Sequence, residues 1–232
     1  ITDALRPSAT RSLIIPRLTY TRDVTTPGYL YPVDGSRLAV SLSGSPFGLS
    51  RKPARFFTVL GDYRRYSSIF RGAYTFALRA SGAASFGPQQ QLFYTSGVLN
   101  WINRTFDDLN GLPIEDASDF ILATPILPLR GFDINARNGS YFGLVNAEFR
   151  FPLIAAMLPG PVPFLPLYNI QGQVFADAGV VWGGRGSAGD LSWRTTNEEG
   201  ESVFDDLLTS AGFGVRTIFL GYPIRFDFAW PY

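Results

Sequence analysis

Along most of this chain, apolar and polar residues alternate one by one. Successive side chains of a β-strand point to opposite faces, so this pattern marks strands with two unlike faces. Between Leu144 and Phe151, Val145, Ala147, Phe149 and Phe151 fall on one face; Asn146, Glu148 and Arg150 fall on the other. Over 171–182, Val174, Ala176, Ala178, Val180 and Trp182 oppose Gln171, Gln173, Phe175, Asp177 and Gly179. The same alternation runs through 37–43, 74–81, 210–219 and 224–230. The spacing predicts eight main strands, roughly 12–23, 37–48, 56–68, 72–86, 141–151, 169–182, 207–219 and 222–230. Tight turns are expected at Asp34-Gly35-Ser36, Phe70-Arg71-Gly72 and Leu220-Gly221-Tyr222-Pro223, with long connections at 87–140 and 183–206. The apolar, Pro-rich stretch 152–168 is expected at a membrane interface or the rim of a barrel, and the apolar run Leu92–Ile102 as a short strand or helix.

The two faces differ in kind. One is apolar throughout; the other mixes Gly and Ser with Arg, Asp, Glu and Gln of both signs. A soluble β-sandwich shows the same alternation, but its solvent side is rich in Lys. A small, mixed-sign polar face instead suits the lumen of a transmembrane barrel whose apolar face meets lipid, with short turns at one end and long loops at the other. Tyr74, Phe86, Trp182, Tyr222 and Trp230 fall near strand ends, where interfacial aromatic girdles sit. No run approaches the ~18 apolar residues of a membrane-crossing helix, and a bilayer is otherwise crossed only by closed barrels.

Composition narrows the chemistry. Twenty Lys+Arg against 19 Asp+Glu give a net charge of +1, which offers no reason to expect nucleic acid as a partner. Charged residues make up 17% of the chain, below the roughly 25% of ordinary soluble domains. The absence of Cys excludes disulfides, thiolate metal sites and a cysteine nucleophile, and the absence of His excludes Ser-His-Asp catalysis and His-ligated zinc. Acidic groups at Glu198, Glu199, Glu201, Asp205 and Asp206, and at Asp107, Asp108, Glu115 and Asp116, read as solvated loops ahead of calcium sites. Asp62 with Arg64 and Arg65 reads as a charge cluster of the lumen or rim. Ile1-Thr2-Asp3 opens no leader segment, so either a signal was removed or the chain starts partway through a longer protein. The chain reads as one domain without catalytic carboxylate pairs, metal or cofactor: no enzyme is expected.

Leu129-Arg130-Gly131-Phe132 resembles the (V/I/L)-R-G-(F/Y) signature in the sixth extracellular loop of BamA-like outer-membrane assembly factors. That superfamily includes two-partner-secretion transporters, TamA-like proteins, chloroplast import channels and bacterial surface antigens. Further motifs follow in family order. Tyr29 to Leu38 resembles the turn before a strand, and Asn146 to Pro152 resembles the strand after the sixth loop, with its inward Glu148. Val174 to Gly179 resembles the "FxDxG" strand, and Pro223 to Pro231 the penultimate strand. The resemblance implies an all-β, antiparallel transmembrane barrel of sixteen strands. This chain would supply the eighth to the fifteenth, so that 1–232 is the C-terminal part of the barrel and 87–140 a lumen-directed loop.

In the family the signature arginine is tied to the acidic residue of the "FxDxG" strand. That role is carried to Arg130 and Asp177, with Glu148 as a secondary partner, Phe132 on the inner wall and Gly131 permitting a tight backbone. A guanidinium is a planar fork suited to carboxylates. The arrangement is either a lock that holds the loop or a gate of the lumen or seam. The resemblance further implies an integral protein of the bacterial outer membrane that inserts outer-membrane proteins or translocates polypeptides. Its partners would be membrane lipids, unfolded outer-membrane or secreted polypeptides, and other subunits of an outer-membrane complex. The alternatives are a non-catalytic barrel anchoring a fused or partner soluble domain, and a passive pore.

Overall fold

The computed structural model describes residues 14–28, 30–45, 55–70, 73–95, 97, 105–107, 111–112, 121–126, 128–154, 170–186, 189–192, 195–196, 202–203 and 206–232. Its strands are β1 (Arg17–Asp23), β2 (Gly35–Gly44), β3 (Phe57–Ile69), β4 (Tyr74–Phe86), β5 (Leu92–Thr95), β6 (Ala123–Ile126), β7 (Asn138–Gly139), β8 (Tyr141–Pro152), β9 (Gln171–Trp182), β10 (Thr195–Thr196), β11 (Ser202–Val203), β12 (Leu207–Phe219) and β13 (Tyr222–Pro231). Eight of them form one sheet in the order β1-β2-β3-β4-β8-β9-β12-β13, antiparallel at every step. The sheet is open: among the described residues β1 pairs only with β2, and β13 only with β12. No helix among the described residues is long and apolar enough to cross a membrane.

The expected alternation sets the two faces. Leu42, Phe76, Val145, Val174, Phe213 and Phe228 point outward and are exposed. Thr58, Thr75, Asn146, Glu148, Gln173, Asp177 and Arg216 point inward and are buried. A water-soluble sheet has these preferences reversed; lipid on the outside and a polar interior account for both. Aromatic rings cluster toward the strand ends. Phe86, Tyr141 and Trp182 form a row across β4, β8 and β9 with centroids 5.8 Å apart at each step. At the opposite end Tyr74 stacks on Phe149 at 5.9 Å.

Connection lengths follow the expected scheme except at 153–170, which joins β8 to β9 at the end of the short links. At one end lie the links 70–73 and the two-residue turn Leu220–Gly221, both residues of which have positive φ. That geometry matches the right-handed twist of the flanking strands. At the other end lie 87–140 and 183–206. The tight turn expected at Asp34-Gly35-Ser36 is a misreading. Asp34 bridges Thr26, and the Val24 amide donates to the Ser36 carbonyl at 2.9 Å, so the ladder continues beyond Asp34, and the Gly28 amide donates to the Tyr31 carbonyl at 3.0 Å. Gly35 starts β2 with φ +96°, and a Cβ there would lie 2.2 Å from the Val24 carbonyl oxygen. Glycine serves a close strand approach here and not a turn. Most of the Pro-rich stretch 152–168 lies outside the described residues, as do all the named acidic loop residues except Asp107 and Asp206.

Inside the sheet sits a second, smaller layer from the connection 87–140. β5 pairs in parallel with β6 and antiparallel with β7. Leu92 to Thr95 is therefore a strand; residues 98–102 of that run lie outside the described residues. Phe93, Ile126 and Leu129 of this layer pack on Ala83, Phe142, Leu144 and Val181 of the main strands. Phe93 is fully buried and meets Phe142 edge-on at 5.0 Å.

Candidate functional site

The site is built in the segment between β6 and β7 of that inner layer. Leu129 is buried in the apolar cluster and holds the segment against the wall, and Phe132 packs half-buried on the same cluster. Between them Arg130 and Gly131 form a turn. Gly131 has φ +87°, and a Cβ there would approach the Ala229 methyl to 3.2 Å. Glycine thus meets two demands at once, a left-handed backbone and a close approach to β13.

This turn directs the Arg130 side chain into the wall, where it is 1% exposed. Its partners come from the inner faces of β8 and β9. Nε donates to Asp177 Oδ2 at 2.6 Å and Nη2 to Asp177 Oδ1 at 2.5 Å, a two-pronged fork. Nη1 donates to Glu148 Oε1 at 2.8 Å. The Arg130 backbone amide adds a bond to Asp177 Oδ2 at 3.2 Å. The Phe175 ring lies 3.5 Å from the guanidinium carbon. Burial alone would lower the Arg130 pKa; the hydrogen bonds it donates to Asp177 and the charges of Glu148 and Asp177 outweigh it and hold it above its ordinary value.

Strand register makes this convergence possible. Asn146 stands directly opposite Asp177 in the β8–β9 ladder, with Glu148 opposite Phe175. The two carboxylates are therefore inward neighbours on adjacent strands, one step apart in register, spaced for a single guanidinium to reach both. Asn146 completes the site: its Nδ2 donates to Asp177 Oδ1 at 2.8 Å and to the Pro128 carbonyl at 2.9 Å. It ties the loop backbone and the carboxylate together.

Leu129, Arg130, Gly131, Phe132, Asp177 and Glu148 thus meet in one place. The roles of Asn146 and Phe175 were not assigned from sequence, although alternation put both on the inner face. Glu148 is also less of a side partner than expected. It accepts from Arg150 Nε and Nη2 at 3.0 and 2.7 Å and from Arg216 Nη2 at 3.2 Å. One carboxylate is shared by three arginines.

The Asp62 cluster is an inner-wall feature with a different membership. Asp62 pairs with Arg64 at 2.7 Å and with Arg79 of β4 at 2.6 Å. Arg65 belongs to the outward set of β3 and is exposed. Asp206 accepts hydrogen bonds from Arg137 and the Ser192 amide, so it belongs to loop packing. Among the described residues no acidic cluster suited to a metal ion is present.

This arrangement holds the loop to the wall by charge-assisted hydrogen bonds. No curated protein matches the chain. Among solved structures it is similar to BamA from Haemophilus ducreyi, crystallised lacking POTRA domains 1–3, with a TM-score of 0.60 and 17% identity. The match covers 93% of this chain and 38% of that one, so the chain spans well under half the length of that BamA. At that identity the likeness speaks to fold: an antiparallel barrel wall that is not closed among the described residues. The Omp85 superfamily domain matches residues 9–232, nearly the whole sequence, and the chain accordingly belongs to the Omp85 superfamily of outer-membrane β-barrels.

Proposed function

We propose that this chain is the C-terminal part of a larger outer-membrane barrel that inserts outer-membrane proteins or translocates polypeptides. In this reading the connection 87–140 is a lumen loop, and Arg130 is the latch that keeps it docked on Asp177 and Glu148. The observation that carries the reading is the fully buried Arg130 fork. A barrel that handles polypeptides must stay sealed when idle and yield when engaged. A loop held by a few charge-assisted bonds at one point can be released and re-docked as a unit. A continuous apolar seam would have to be peeled residue by residue. A buried pair adds little net stability, yet removing one partner is costly; that suits a device whose two states are docked and free.

The test is made in the native bacterium. Depleting the complete protein, or replacing it with the Arg130→Ala form, is expected to lower the folded amount of several outer-membrane barrels or to retain a secreted polypeptide in the periplasm. Quantitative proteomics of outer-membrane and secreted fractions reads both. Normal levels of every barrel and every secreted protein after depletion would overturn the proposal. Loss of only one surface-attached soluble domain would replace it with an anchoring role.

A further inference from the structure

Beside the latch, on the inner wall, lies a cavity of about 410 Å3 whose lining includes Arg64, Arg79, Arg150, Arg216 and Arg225. Among the described residues three carboxylates serve these five cations. Asp62 serves Arg64 and Arg79, Asp227 pairs with Arg225, and Glu148 serves Arg150 and Arg216 while also holding Arg130. Asp62 is thus shared by two arginines and Glu148 by three, in a partly desolvated place where unpaired charge is expensive.

Register sharpens the point. Two like-charged cross-strand pairs face this cavity, Arg64 opposite Arg79 and Arg216 opposite Arg225. Like charges directly opposite each other destabilise a sheet. The first pair is bridged by Asp62, which bonds to both arginines. The second pair has no such bridge, because Arg216 turns to Glu148 and Arg225 to Asp227. Here the unmet donors collect: Nη1 of Arg150, Nε of Arg216 and Nη2 of Arg225 are buried without a hydrogen-bond partner among the described residues. Arg216 itself is 4% exposed. The Tyr31 ring lies 4.7 Å from the guanidinium carbons of both Arg150 and Arg216, covering them from the β1–β2 connection.

We infer that this cavity is an oxyanion site, and that a phosphate group bridges Arg150, Arg216 and Arg225 as Asp62 bridges Arg64 and Arg79. Three donors from three strands ask for an acceptor with at least three oxygens on one small centre. Phosphate offers these, whereas a carboxylate offers two. The covering Tyr31 favours a compact anion over an acidic stretch of polypeptide. The phosphate can be free or carried on a lipid headgroup. The inference does not depend on the role proposed for the loop.

The experiment uses the complete protein, purified from outer membranes in phosphate-free neutral detergent. Phosphorus NMR of the protein as purified reads bound lipid phosphate; titration with inorganic phosphate, followed by calorimetry, reads the free anion. Either a stoichiometric lipid phosphorus signal or saturable binding of inorganic phosphate is expected. Arg216→Gln and Arg225→Gln should each weaken it on the order of tenfold, the worth of one charge-assisted donor set. Arg37→Gln, at the exposed Asp23 pair, should leave it unchanged. Heat-modifiable gel mobility reports folding. If Arg216→Gln does not fold, Arg225→Gln carries the test, because its side chain is 30% exposed and makes no bond to Glu148. Neither form of phosphate bound, equal binding by the variants and the parent, or binding of a glutamate-rich peptide but not phosphate would each overturn the inference.

Discussion

Replacing Arg130 with Ala removes three side-chain hydrogen bonds and the contact with Phe175 in one step. The two carboxylates suffer unequally. Glu148 keeps Arg150 and Arg216. Asp177, whose side chain is 0% exposed, keeps only neutral donors, the Asn146 amide and the residue 130 backbone N–H. Stranding a buried charge in this way costs about 3–5 kcal/mol; with two neutral donors retained, the lower end, ~3 kcal/mol, is the better figure. At ~1.4 kcal/mol per decade, the ratio of free to docked loop should rise about a hundredfold. Hydrogen exchange with mass spectrometry on the detergent-solubilised protein reads this directly. The amides to follow are Leu129, which donates to the Gly97 carbonyl at 3.2 Å, Thr95 to Arg137 at 2.9 Å and Asn135 to Thr95 at 2.7 Å. They should exchange about a hundredfold faster while the β3–β4 ladder keeps its protection. Arg130→Ala with Asp177→Asn should recover part of the loss, since the stranded charge is gone. Loop exchange within about threefold of the parent in the single variant would refute the reasoning.

Three further outcomes are expected. Gly131→Ala should cost about 1–3 kcal/mol of loop docking, because the residue has φ +87° and its methyl would press on Ala229; unchanged loop exchange would contradict that. Phe93→Ala, at a fully buried ring against Phe142, should cost about 3–5 kcal/mol and expose the 87–140 connection to protease before the strands are cut. Cleavage in the strands first would show that the inner layer is not a separate unit. Val174→Lys, on the exposed outer face of β9, should lower stability in liposomes by about 2–4 kcal/mol if it sits near the midplane. Urea titration measures this, and no change would argue that the outer face does not meet hydrocarbon.

The legible part of this protein is the part that a period of two can carry. Alternation placed Asn146, Glu148, Arg150, Gln173 and Asp177 on the inner face without any structure, because lipid on one side and a polar lumen on the other leave little freedom. The illegible part depends on which residue stands opposite which. Proximity in sequence groups Asp62 with Arg64 and Arg65, yet its second partner is Arg79, seventeen residues on and across a strand boundary. Asp34-Gly35 reads as a turn because a glycine after Asp fits one equally well; the hydrogen bonds around it decide for the ladder. The sharing of Glu148 among three arginines is invisible for the same reason, since Arg216 lies four strands from Arg150 in sequence order but two pairings away in the sheet. Asp177 reaches Arg130 because it stands opposite Asn146. A slip of one residue in the β8–β9 pairing would turn Asp177 to the lipid face. Leu129-Arg130-Gly131-Phe132 would remain unchanged in sequence, and its arginine would have no fork to enter. The tetrapeptide therefore encodes the shape of the loop tip, while the docking that gives it a role is encoded in the register of strands distant from it.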